Sequence, residues 1–108
     1  MGEKQLKLRE QLCFLSEAML HLETLEEYEN FLHDILTNQE IGMLSQRLRI
    51  AILLSEGNTF KSISDKTGVS SATIEKVKQS FFYGEDGYKT IIDRMKSNDH
   101  SKRDTHEL

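Results

Sequence analysis

Between residues 60 and 79 the sequence FKSISDKTGVSSATIEKVKQ sets short hydroxylated side chains among spaced lysines. Ser70, Ser71, Ala72 and Thr73 are small enough to let a helix approach the floor of a DNA major groove, where Ala and Thr methyls can meet thymine methyls. Lys76 follows on the same outer face. Lys61, Lys66 and Lys78, with Arg49 upstream, suit the neutralisation of backbone phosphates, which sets register. Glu75 is the discordant member, because a carboxylate in that groove is accommodated mainly opposite a cytosine amine. The plain alternative is a solvated helix face whose serines and lysines touch only water.

Positioning these side chains calls for a helix-turn-helix unit: a short helix, a tight turn and a second helix at a fixed angle. Each slot of that unit has a suitable residue here. Ile63 points inward, and Ser64 is small where the two helices approach closely. Gly68 occupies the turn, where a left-handed backbone costs glycine little. Val69 fills the space between the helices, Ser70 caps the second one, and Ile74 and Val77 return to the core. The small, glycine, apolar and apolar residues fall at offsets 0, 4, 5 and 10 from Ser64. The spacing predicts this unit at about residues 60–81.

The rest of the 108-residue chain reads as helix, with no proline to interrupt it and no alternation of the strand kind. Leu8, Leu12, Leu15, Met19 and Leu22 recur at steps of four and three, predicting a first helix over residues 3–22. Its stripe must be buried, either within one chain or against a second copy. Cys13 neighbours the stripe and is expected to be buried with it. Thr24 with Glu27, and Thr37 with Glu40, are capping boxes that open two further helices, reaching about residue 36 and just short of Gly57. In the third helix Ile41, Leu44, Leu48, Ala51, Ile52 and Leu54, or residues near them, are expected inside. Residues 82–87 read as a loop, followed by a last helix from Tyr88 to about Lys96 that offers Tyr88, Ile91, Ile92 and Met95 to the core. A single domain over residues 1–96 is expected, with a polar, disordered tail over 97–108.

Composition narrows the function. Net charge is −4, but residues 1–40 hold three basic residues against nine acidic ones, while residues 41–81 hold six against three. An acidic half thus precedes a basic stretch, and the basic stretch contains the helix-turn-helix. The apolar runs are too short to span a membrane, and no secretory signal opens the chain. One cysteine and four scattered histidines offer no metal spacing, and there is no phosphate loop or nucleophile elbow. A cytoplasmic binding protein is expected, and an enzyme is not.

The pattern LT..E...L..R.RI...L..G over residues 36–57, followed by GVSSATI at 68–74, resembles the tryptophan-repressor-like family, and within it the YerC/YecD branch of bacterial proteins. The similarity is tightest over residues 36–80 and extends more loosely from the first helix to about residue 95, most of the chain. The resemblance implies an all-α fold of six helices in an intertwined homodimer. It also implies a transcriptional regulator, expected to be a repressor, whose two reading heads face successive major grooves of a palindromic operator about 34 Å apart. A helical protein-interaction or small-molecule sensor module that keeps the fold without reading DNA is the competing reading.

The same resemblance implies an effector pocket. Thr37, Arg47 and Ser80 match the threonine, first arginine and serine that hold tryptophan in the namesake repressor. Lys76 stands where the second arginine belongs and lacks the flat guanidinium that stacks on an indole. Val77 replaces a glycine in the pocket wall. These departures speak against tryptophan and leave an unknown small corepressor, or none. Arg47 also suits simple pairing with acidic residues of a partner chain.

Overall fold

A computed structural model describes residues 2–101, and they are helical throughout apart from short connections. The elements are α1 (Glu3–Met19), α2 (Leu25–Ile35), α3 (Asn38–Ser55), α4 (Phe60–Thr67), α5 (Ser71–Tyr83) and α6 (Gly87–Ser101). The chain falls into two compact units that meet between Ile41 and Gly42. Among the described residues there is no strand, as the absence of period-two alternation requires.

In the first unit the helix starts follow their capping residues. Thr24 Oγ1 accepts from the Glu27 amide at 3.1 Å, and the Glu27 carboxylate reaches back to the Glu23 amide at 2.7 Å, one residue short of a reciprocal box. At Thr37 the box is complete: Thr37 Oγ1 accepts from the Glu40 amide at 3.1 Å, and Glu40 Oε1 accepts from the Thr37 amide at 2.9 Å. α1 stops at Met19 rather than Leu22, closing on a Leu20 amide that donates to the carbonyls of Ser16 and Glu17. Neither α1 nor α2 contains a buried residue. Leu8, Leu12 and Leu15 are 54%, 56% and 42% exposed. Cys13, expected inside, is exposed, with its thiol 3.5 Å from Glu17 Oε2.

The second unit holds the core. Ile50 and Ala51 of α3, Ile63 of α4, Ile74, Val77 and Phe81 of α5, and Ile92 of α6 form one cluster. Leu48, Ile52, Leu53, Leu54, Phe60, Val69 and Tyr88 pack around it. A fully buried isoleucine such as Ile63 contributes about 1.5–3 kcal/mol by removal from water. α3 therefore buries its C-terminal half. Ile50 is buried and Leu53 packs against the core, both next to expected positions, and Leu44 remains exposed because the core residues of α3 begin only at Leu48. Among the described side chains of α6, Ile92 is the one buried, and Ile91 and Met95 stay exposed.

Two further helix ends, in the second unit, differ from the sequence expectation. α5 continues through Phe82 and Tyr83, leaving only residues 84–86 as the connection. It stops at Gly84, where a Cβ would run into the carbonyl oxygen of Ser80, the acceptor of the Gly84 amide. α6 continues past Lys96 to Ser101, since no proline or glycine stands in residues 88–101 to break it. The remainder of the expected tail lies outside the described residues.

Candidate nucleic-acid interface

The turn between α4 and α5 is held by hydrogen bonds from nearly every residue in it. Gly68 takes the left-handed backbone at φ 78°, and its amide donates to the Ser64 carbonyl at 2.7 Å. Ser64 Oγ then donates to the Val69 carbonyl at 2.9 Å. Thr67 Oγ1 donates to the Ile63 carbonyl at 2.7 Å and accepts from the Val69 amide at 3.3 Å. Ser70 Oγ accepts from the Thr73 amide at 3.3 Å and starts α5. The small residue at position 64 thus supplies a hydroxyl as well as room, a role its size alone does not announce.

Burying Ile74, Val77 and Phe81 fixes which face of α5 is outward. Ala72, Glu75, Lys76 and Gln79, spaced by three and four residues, are all exposed. Ser71 is exposed beside them, while Thr73 is half-buried with its hydroxyl 3.3 Å from Ser70 Oγ. Ser70 is also exposed, though its hydroxyl is occupied as the cap. Glu75 is not isolated, because Gln79 Nε2 donates to its Oε2 at 2.9 Å.

The basic residues divide by what they touch. Arg49 and Lys66 come together across α3 and α4, lining a shallow cavity of about 260 Å³ with Gly42, Ser45, Gln46 and Thr67. Lys66 Nζ donates to Asn58 Oδ1 at 3.1 Å. Asn58 also accepts from Ser62 Oγ at 3.0 Å and donates through Nδ2 to the Leu53 carbonyl at 3.0 Å. That asparagine ties the end of α3 to α4 and to a cation of the surface, and sequence reasoning passed over it. Lys78 lies over the Phe60 ring at 5.4 Å from its centroid. Lys61 is drawn to Asp65 at 3.3 Å, an exposed pair of small energetic worth. Among the described residues Arg49, Lys66, Lys76 and Lys78 enter no ion pair.

A second concavity, about 170 Å³, is lined by Arg47, Lys76, Val77, Ser80 and Tyr88. Three of the four residues named for an effector pocket therefore meet here, along with the valine of its wall. Tyr88 is an added member, hidden in the sequence because its apolar ring suited the core. Thr37 belongs to the first unit, where its hydroxyl caps α3. Among the described residues no group of three acidic, cysteine or histidine side chains stands in a metal-holding arrangement. No helix among them is long and apolar enough to cross a membrane.

Six helices with a glycine-turned pair presenting a small-residue face define a helix-turn-helix protein of the Trp repressor class. The chain belongs to the Trp repressor protein family, whose model matches residues 10–96, and to its YerC branch. It is 45% identical over 91 residues to the uncharacterized protein YerC of Bacillus subtilis (strain 168), covering 83% of this chain and 88% of that one. A putative Trp repressor from Staphylococcus aureus superposes with a TM-score of 0.77 at 42% identity, over 88% of this chain and 96% of that chain. A TrpR-like protein from Eubacterium eligens ATCC 27750 gives 0.74 at 40% identity, over 81% and 90%. The family is one of DNA-binding regulators and not of enzymes.

Proposed function

We propose that the protein is a cytoplasmic, homodimeric transcriptional repressor that binds a palindromic operator through α5. The observation that carries this reading is the outer face of α5, where small side chains and Lys76 stand clear of the core; Arg49 and Lys66, which line one cavity on α3 and α4, add cations to the same unit. The short side chains allow close approach to base edges, and the cations supply the sequence-independent attraction to phosphate. Dimerisation is supported by the exposed leucines of α1, an apolar stripe that a single chain leaves in water.

Anisotropy titration of operator DNA selected from a random pool tests the reading. Thr73→Ala and Lys76→Ala are expected to weaken operator binding, and unchanged affinity in both removes α5 as the reader. The competing interaction-module reading predicts no retention on heparin or random DNA even at low salt. The repressor reading predicts retention that is lost by about 0.2 M salt.

The pocket at Lys76 is proposed to exclude tryptophan. Its volume of about 170 Å³ lies below the roughly 300–1,000 Å³ usual for drug-sized ligands. Val77 occupies part of the wall, and an ammonium replaces the stacking surface that an indole needs. Arg47, Lys76 and the Ser80 hydroxyl favour a smaller, anionic effector. Calorimetry with tryptophan is expected to show no binding below millimolar concentration, and micromolar affinity reverses this assignment.

A further inference from the structure

We propose that Glu75, steered by Gln79, accepts a hydrogen bond from a cytosine amine in the major groove and thereby fixes a G·C pair in each operator half-site. The inference rests on the reading of α5 as the element that enters the groove. Glu75 lies one helical step from Lys76 and three residues beyond Ala72, on the exposed side opposite Ile74 and Val77. Its Oε2 already accepts from Gln79 Nε2 at 2.9 Å, one turn further along the same face. That bond restrains the carboxylate without consuming it, since two oxygens offer about four acceptor positions.

Electrostatics then makes Glu75 a selector. A carboxylate carried between two phosphate backbones is repelled, and Arg49, Lys66, Lys76 and Lys78 must offset that repulsion on any DNA. Of the groups on base edges in the major groove, only the cytosine and adenine amines donate hydrogen bonds, and Glu or Asp pairs with the cytosine N4 amine. Opposite guanine O6 or thymine O4, the carboxylate meets another acceptor and gains nothing. Opposite adenine, the neighbouring N7 is a second acceptor that a carboxylate cannot satisfy. Glu75 therefore lowers affinity for most sequences and restores it where a cytosine stands in register, which is discrimination by exclusion.

The experiment is selection from a random double-stranded DNA pool with the full-length chain and with Glu75→Gln, followed by titration of the selected sites. The wild-type consensus is expected to contain one strongly preferred cytosine per half-site. Glu75→Gln should move that position to adenine, the base a glutamine amide matches bidentately, and should tighten binding to random DNA. Replacing the preferred cytosine with another base is expected to cost the wild type about tenfold or more at that half-site. N4-methylcytosine at the same position should cost the wild type a similar factor and Glu75→Gln little. Gln79→Ala should soften the cytosine preference without shifting it to adenine. The substitutions are exposed, so thermal melting should be unchanged.

An unaltered base preference in Glu75→Gln overturns the proposal while leaving α5 as the reader. Failure of the wild-type chain to enrich any sequence overturns the repressor reading and this inference together.

Discussion

At the scale of single residues, the positions legible in the sequence are those where one side-chain type alone meets a local demand. Gly68 for the left-handed turn, Ser70 for the cap and Val69 for the gap are of this kind, and each stands where the spacing placed it. The bonds of Asn58, the steric stop at Gly84 and the place of Tyr88 in the concavity were not legible, because their partners come from the folded structure. Asn58 bonds Leu53, Ser62 and Lys66 at once, and nothing in its immediate neighbours announces that. Replacing Asn58 with Leu removes these bonds from a part-buried site and is expected to lower stability by about 1–3 kcal/mol, read from urea unfolding. Lys66 is exposed and Asn58 Oδ1 keeps its bond from Ser62 Oγ, so Lys66→Ala is expected to leave the fold intact. It should weaken binding to all DNA alike and flatten the slope of log affinity against log salt by about one.

At the scale of elements, the starts of helices were readable and several of their ends were not. Starts are set by side chains at fixed offsets, as at Thr24, Thr37 and Ser70. Ends depend on where packing stops or on steric limits, which is why α5 runs through Tyr83 and α6 through Ser101. Two glycines illustrate the difference. A Cβ on Gly68 meets nothing within 4 Å, so Gly68→Ala bears only the left-handed backbone term, about 1–2 kcal/mol. A Cβ on Gly84 meets the Ser80 carbonyl, so Gly84→Ala must shift backbone at the α5–α6 connection. Thermal melting of the two variants should show the larger loss for Gly84→Ala, and Asn at position 68 should recover part of the Gly68→Ala loss.

At the scale of the whole molecule, a net charge of −4 gave a poor guide to partners, and its partition along the chain gave a better one. The acidic stretch includes α1 and α2, and the basic stretch includes the helix-turn-helix. Among the described residues the buried core lies in the second unit, so Ile50→Ala is expected to cost about 2–5 kcal/mol there, measured by denaturant unfolding. The first unit has no comparable core. If it assembles against a second chain, light scattering at micromolar concentration should give about twice the 12.5 kDa chain mass. Leu12→Glu should return that mass to the single-chain value.

The bare α1 stripe carries a thermodynamic corollary. Order that comes from a second chain obeys mass action, so the melting midpoint should fall on dilution, whereas a self-sufficient monomer melts at one temperature at every concentration. Under the proposed reading of a dimeric repressor, copy number in a cell would then act twice, filling operators and keeping the first unit ordered. Falling abundance would then loosen the first unit as well as empty the site, and under that reading de-repression would be steeper than simple dissociation from DNA allows.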